Sequence, residues 1–345
     1  MAVRKKSGLP NTIGITDGVG GAHLDLLSTL AEKHGLQIVS VEKPIISGPP
    51  VVAEKVSAFI VKNASVSHEF LSAYPNLQLV YKLGILLENI DLIAARELGI
   101  EVRTISLPSA VSVAEHTFCL MLAAARYLIQ AHQAVLSGRR VPHIEPKKTS
   151  EFSYAYNWAD MPPEVTLFNK TLGLIGLGEI GIQVAIRANA FGMKILYYKR
   201  NRFNKEREKQ YHLSYRPLDS LLSEADVVSL HLPHTETTSH LLDRNRIGLM
   251  KPSAILINTS RGGIIDNAAL ADALATGKLA GAGLDVFEYE PLGLDSPFLK
   301  LDNVVLTPHI AGAGHKAFYE TLQYVIKDVA NTILGSSTEK GDLRV

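Results

Sequence analysis

Residues 171–181, TLGLIGLGEIG, constrain the fold more than any other stretch of the chain. Five strand-like residues, Thr171–Ile175, run directly into Gly176, Gly178 and Gly181 at the spacing G-x-G-x-x-G. A helix-period segment follows to Phe191, and a second strand-like run occupies Lys194–Tyr198. A strand before and a helix after is the context in which this motif makes a βαβ nucleotide site. The glycines permit a tight turn and let backbone N–H groups approach a pyrophosphate seated on the helix N-terminus. Without a nucleotide, they would serve only to close the turn.

Elsewhere apolar runs alternate with amphipathic segments, which predicts an α/β fold on parallel sheets. Thr12–Thr16, Gln37–Val41 and residues 58–61 read as strands, and residues 23–35 as a helix stopped by Gly35. Residues 77–102 continue in this style, with a helix at 91–97. One long helix is expected over 111–136; it would run roughly 35–40 Å, enough to bridge two domains. Residues 139–165 lose periodicity, carry Pro142, Pro146, Pro162 and Pro163, and read as a long connecting loop. A second α/β series runs from Thr171 to about Thr307, and Phe318, Leu322, Val325, Val329 and Ile333 form the apolar face of a last helix.

A chain of 345 residues suggests two domains at about 150 residues each. Lys and Arg total 35 against 34 for Asp and Glu, a net charge of +1. That balance excludes a general nucleic-acid coat or a membrane-surface binder, which needs a basic face. Cys119 is the single cysteine, so no intrachain disulfide forms and a cytoplasmic setting is expected. The start MAVRKKSGLPNT lacks an apolar run behind its basic residues, and the apolar stretch near 118–128 is interrupted by Arg126. Neither a secretory signal nor a membrane span is expected.

About 20 residues after the glycine turn, a dinucleotide site that takes NAD carries an acidic residue on the adenosine ribose. Here Lys199 stands there, followed by Arg200, Asn201 and Arg202. Residues 199–209 hold six basic and two acidic side chains. Cations in that place favour a ribose 2′-phosphate, so NADP(H) is expected over NAD(H). The competing reading is an ordinary solvated charged turn.

Three further strand ends carry polar groups. Ile255–Asn258 leads into Thr259, Ser260 and Arg261; GAGLDVFEYEP (281–291) carries Asp285 and Glu290; Leu306 leads into Thr307, Pro308 and His309. Parallel sheets place ligands outside the carboxyl ends of their strands. Together the residues support one chemistry. Arg261 would bind a carboxylate and polarise the adjacent carbonyl, and His309 would exchange a proton with the substrate oxygen as hydride moves at the nicotinamide. Glu290 would orient the imidazole and stabilise its charged form.

With these motifs in order, the chain resembles the D-isomer-specific 2-hydroxyacid dehydrogenases over nearly its whole length. GLGEIG (176–181), SRGGIID (260–266), the 269–277 helix, GAGLDVFEYEP and TPHIAG (307–312) all look like signatures of that family. The resemblance implies two Rossmann-like doubly wound domains. A flavodoxin-like substrate domain would comprise residues 1–110 plus 314–345, and an NAD(P)-binding domain residues 111–313. It also implies catalytic roles for Arg261, Glu290 and His309. Glu179 and Ile180 would lie at the pyrophosphate, and Leu232 and Pro233 would line the cofactor cleft. Thr259 and Ser260 would lie beside the nicotinamide, with Asp285 on its carboxamide and Gly312 in the same cleft. A homodimer formed through the cofactor domains is implied too, as is a small 2-oxoacid or 2-hydroxyacid substrate. The same fold also serves as a nucleotide-sensing corepressor, and formate- or phosphite-oxidising enzymes share it.

The departures concern substrate. Lys62 and Asn63 occupy a loop that typically offers Arg-Ser, and Lys82-Leu83-Gly84-Ile85-Leu86 is one glycine short of the usual turn. Backbone amides near Gly84 and Ile85 would still take a carboxylate, while Leu86 narrows the wall and favours a bulkier or more apolar 2-oxoacid than glyoxylate. Residues 104–107, Thr-Ile-Ser-Leu, replace another family turn, whereas SVAEHT (112–117) is intact. In residues 151–163, Tyr154, Tyr156 and Trp158 are expected in loop or interface packing, or across a dimer at the partner's site. His116 is read as part of the helix, and Cys119 as a core thiol. His231, His234 and His240 lack metal-ligand spacing, so no metal is expected.

Overall fold

The structure is a computed structural model that describes residues 11–16, 22–41, 53–312 and 315–335. The basic N-terminal stretch and the expected domain edge at 313/314 lie outside these residues. The chain divides into two compact units, one made of residues up to 109 and from 313 on, the other of residues 110–312.

In the first unit β1 (Thr12–Thr16), α1 (Ala22–Glu32), β2 (Gln37–Val41), β3 (Val56–Val61), α2 (His68–Ser72), β4 (Leu79–Leu83), α3 (Leu92–Glu97) and β5 (Glu101–Ile105) alternate. The strands form one parallel sheet in the order β2-β1-β3-β4-β5, the flavodoxin-like order. Val56–Val61 is buried throughout because it lies in mid-sheet with helices on both faces. Phe59, Val80, Phe70, Tyr74 and Ala94 fill the side under α2 and α3.

The second unit begins within the first turn of α4 (Pro108–Ala125), which α5 (Leu128–Leu136) follows. The single long helix expected over 111–136 is therefore two. Tyr127 takes φ 51°, a left-handed conformation that a continuing helix cannot contain, and it starts α5 afresh. Then follow β6 (Thr171–Ile175), α6 (Glu179–Ala190), β7 (Lys194–Tyr198), α7 (Lys205–Gln210), β8 (Leu213–Tyr215), α8 (Leu218–Glu224), β9 (Val227–Leu230), α9 (Arg244–Ile247), β10 (Ile255–Asn258), α10 (Asn267–Ala275), β11 (Gly281–Leu284) and β12 (Val304–Leu306). All seven strands are parallel in the order β12-β11-β10-β9-β6-β7-β8, with the reversal of strand order at β6/β9. The last helix, α11 (His315–Leu334), returns to the first unit and packs on α1, β3 and β4 through the fully buried Leu322, Val325 and Val329. Its period-3.6 apolar face is the one read from the sequence.

Cys119 is exposed, not in the core. On α4 the buried face is carried by Val113, Ala114, Thr117, Phe118, Leu120 and Met121, and Cys119 points away with Glu115. By length and apolarity α4 is the one described helix that could span a bilayer, yet half of it is buried inside the protein.

Candidate active site

Because all seven strands of the second sheet run the same way, the residues after β6, β7, β9, β10, β11 and β12 emerge along one edge. The glycine turn after β6 sits at the reversal point. Gly176 has φ +88°, and a Cβ on it would stand 2.5 Å from the carbonyl oxygen of His231 after β9. A Cβ on Gly181 would press to 2.8 Å from the Gly176 carbonyl oxygen. At Gly178 a Cβ would meet nothing within 4 Å. That glycine is not required by the packing of the chain; it leaves open space in front of the α6 N-terminus, where Glu179 and Ile180 begin the helix. Such a bare, positive helix end fits a pyrophosphate. Leu232 packs partly on the core, and the Pro233 carbonyl is held by Thr238 Oγ1 at 2.7 Å.

After β7 the cations are less available than expected. Arg202 was expected at the ribose phosphate, but its Nε and Nη2 donate to Glu208 at 2.7 and 2.9 Å. Lys205 joins the same carboxylate at 3.1 Å, and the Tyr197 hydroxyl donates to it at 3.0 Å. The Arg202 contact leads the influences that hold the Glu208 carboxyl down at about 2. Lys199 Nζ lies 4.0 Å from the centre of the Phe203 ring, and Arg200 is exposed. The turn is thus partly neutralised from within, a feature invisible in a count of charges.

After β10, Asn258 is fully buried and organises the next three residues. Its Oδ1 accepts from the Ser260 N–H at 3.0 Å and the Ser260 hydroxyl at 2.8 Å, and its Nδ2 donates to the Arg261 carbonyl at 3.0 Å. The Arg261 side chain is exposed, with Nη1 on the Ser260 carbonyl at 2.6 Å. Gly262 packs so tightly that a Cβ would fall 1.9 Å from the Phe287 carbonyl carbon. That close approach brings the Arg261 loop against the loop that carries Glu290.

His309 and Glu290 meet: Nδ1 and Oε2 are 2.6 Å apart. Glu290 Oε1 also accepts from the Phe287 N–H at 3.0 Å. Burial would push the Glu290 carboxyl up, but hydrogen bonds from His309 and Phe287, helped by the positive charge of Arg261, hold it below its ordinary value. With Nδ1 engaged, Nε2 is the nitrogen free to exchange a proton with a bound oxygen. An apolar cavity of about 530 Å³ borders the pair, walled by Phe287, Pro291, Leu292, Leu299 and Leu306.

Asp285, expected on a carboxamide, is wholly buried and grips the His309 turn. Thr307 Oγ1 at 2.6 Å, Ile310 N at 2.9 Å and Ala311 N at 2.9 Å all donate to its carboxylate. Thr259 is nearly buried, and Gly312 is exposed with open space around its Cα.

The expected substrate residues lie in the first unit at the carboxyl ends of β3 and β4. Lys62 and Asn63 are exposed. Sequence reasoning missed Lys82, whose side chain is buried and donates to the Lys62 carbonyl, while Asn89 holds Ala64. The amide of Gly84, expected to face a carboxylate, instead donates to the Ile105 carbonyl at 2.8 Å, because the chain turns back onto β5 there. Ile85 and Leu86 are half-buried.

Comparison with known proteins shows the family. A glyoxylate reductase of Korarchaeum cryptofilum is 40% identical over 73% of this chain and 71% of its own. A hydroxypyruvate reductase of Thermotoga maritima is 38% identical over 81% of this chain and 86% of its own. The crystal structure of an NADPH-dependent glyoxylate/hydroxypyruvate reductase from Sinorhizobium meliloti, in complex with NADP and malonate, superposes with a TM-score of 0.53 at 27% identity, covering 95% of this chain and 94% of that one. Residues 118–311 match the family model for the NAD-binding domain of D-isomer-specific 2-hydroxyacid dehydrogenases. The chain belongs to that family, and it is a D-2-hydroxyacid dehydrogenase.

Proposed function

We propose that the enzyme reduces a 2-oxoacid to a D-2-hydroxyacid with NADP(H), reversibly, and that Arg261, Glu290 and His309 carry the chemistry. The observation behind this is the 2.6 Å contact of His309 with Glu290 on the strand edge that also carries Arg261. Arg261 offers a planar fork to the carboxylate and polarises the neighbouring carbonyl. His309 Nε2 gives its proton to the substrate oxygen, and Glu290 on Nδ1 favours the charged imidazole that must do so. The nicotinamide supplies the hydride when bound.

Gly176, Gly178, Glu179, Ile180 and Gly181 would hold the pyrophosphate. Leu232, Pro233, Thr259, Ser260, Asp285 and Gly312 would border the rest of the cofactor. NADP(H) over NAD(H) is supported by Lys199 standing directly after β7 in the place of an acidic residue and by Arg200 beside it, with Arg202 contributing only the edge that Glu208 leaves. Lys62, Asn63 and Ile85 of the first unit would meet the substrate. Leu86 and the apolar cavity beside Glu290 favour a 2-oxoacid with an apolar side chain over glyoxylate.

The enzyme works in the cytoplasm as a homodimer. Leu128, Ile129, Val135 and Leu136 on α5, with Phe152 (91% exposed), Tyr154 and Tyr156 in residues 139–165, leave an apolar surface of the kind a partner covers. Consumption of NADPH and NADH against a panel of 2-oxoacids tests the reading. Turnover with NADPH, lost in His309→Ala, is expected. A wild type inert on every acid would return the chain to the corepressor-like reading, and a clear preference for NADH would refute the cofactor choice.

A further inference from the structure

The SVAEHT motif (112–117) takes no part in the reading above, yet three of its side chains leave α4 for the strand ends of the site. Ser112 Oγ donates to the Ala311 carbonyl at 2.9 Å. His116 Nε2 lies 2.9 Å from Thr307 Oγ1 and 3.4 Å from Asp285 Oδ1. Thr117, wholly buried, shares a 2.9 Å hydrogen bond with Thr259 Oγ1. Ser112 and His116 are one turn apart, so one helix face reaches both ends of the turn 307–311.

The direction of this chain follows from its acceptor. The Asp285 carboxylate takes two backbone N–H groups, so it accepts, and Thr307 donates its hydroxyl proton to it. Thr307 Oγ1 is then left as the acceptor, and His116 must donate from Nε2. The chain of donors ends on the carboxylate that fixes Ile310 and Ala311, directly after His309. His309 itself stands at φ 56°, a conformation that non-glycine residues keep only where the surroundings hold them, and its N–H donates to the Asp285 carbonyl.

We propose that His116, aided by Ser112, is a positioning residue: α4 grips the turn 307–311 and keeps the His309 imidazole on Glu290. The inference rests on the acid–base role given to His309 above. His116→Leu removes the donor, whereas His116→Gln keeps an N–H. The expected result is kcat lower by about tenfold in His116→Leu, the factor one hydrogen bond's worth of alignment carries, with both KM values unchanged and kcat largely restored in His116→Gln. Ser112→Ala, which leaves the buried chain intact, gives a smaller loss of the same kind and stands in if His116→Leu does not fold.

The His309 Cε1–H resonance, assigned with His309→Asn, gives a readout independent of turnover. It is expected as one sharp signal in wild type and His116→Gln, and shifted or broadened in His116→Leu. Unchanged kcat and resonance in a folded His116→Leu enzyme overturn the proposal, as does an equal loss in the Leu and Gln variants. Should wild type reduce no 2-oxoacid, the acid–base reading falls, while the resonance still decides whether His116 holds His309.

Discussion

Glu208→Gln tests how the charged turn after β7 is held, and its size can be worked from the structure. The Glu208 side chain is 8% exposed and receives Arg202, Lys205 and the Tyr197 hydroxyl. Its carboxyl is held at about 2, from an ordinary 4.5, chiefly by Arg202. That gap corresponds to about 3 kcal/mol in favour of the charged form. Arg202 is 46% exposed and Lys205 79%, so solvent screening lowers the figure to about 1–2 kcal/mol. The folded value is depressed, so this stability is present above about pH 4.5 and is lost as pH falls towards 2. Urea unfolding should find Glu208→Gln less stable by about 1–2 kcal/mol at pH 7, with the difference shrinking below pH 4.5 and under half its size near pH 3. A difference that stays flat from pH 7 to pH 3 would refute the assignment to charge. Freed from Glu208, Arg202 can turn either way, so the NADPH KM should change while the NADH KM stays; equal changes would separate Arg202 from cofactor choice.

Glu290→Gln keeps the size of the side chain but removes the charge on His309 Nδ1, and kcat should fall by about 10²-fold, within the range for impaired acid–base catalysis; steady-state kinetics showing less than a threefold loss would exclude the pairing as functional. His231 is half-buried, with its Nδ1 buried and unpartnered and its Nε2 on Ser229, and desolvation of the ring disfavours its charged form and holds it at about 3. The unfolded chain takes up that proton below about pH 6.5 while the folded chain does not, so between pH 6.5 and 4.5 stability should fall more steeply in wild type than in His231→Asn, by up to about 2–3 kcal/mol in denaturant titrations. Lys82→Met should raise the KM for the oxoacid several-fold at constant NADPH KM by releasing the Lys62 carbonyl; an unchanged oxoacid KM would remove residues 62–63 from the substrate site.

The parts of the molecule legible in the sequence are those whose signal is local. Thr171–Ile175 and Lys194–Tyr198 are strands at the expected bounds because buried parallel strands are short apolar runs closed by turns. The break at Tyr127 was not legible, since residues on either side keep the apolar period and only the backbone angle of one tyrosine marks it. Cys119 misled for a related reason: α4 is apolar nearly all round, so periodicity does not say which face is covered. In the candidate site, Arg261, Glu290 and His309 are proposed from strand-end positions, and the structure brings Glu290 and His309 together. Arg202 could not be judged, because its partner Glu208 sits six residues on within a run that reads as solvated charge.

The residues that sequence reasoning undervalued share one physical character. Asn258 fixes Ser260 and Arg261, Asp285 fixes residues 307–311, and Lys82 fixes residue 62. Each is a buried polar side chain at or beside a strand end, and each binds chiefly main-chain atoms of the loop that follows or adjoins it. Main-chain partners have no residue identity, so no pairing pattern in the sequence announces them. Burial makes them effective: in a low-dielectric setting an unmet carboxylate or amide is costly, so the loop must adopt the one path that satisfies it. Exposed side chains such as Arg261 and His309 can then be held in place without being packed, and they stay open to solvent. The candidate groups of this edge can therefore be picked out in the sequence, while the groups that hold them become visible only when the strand ends are seen side by side.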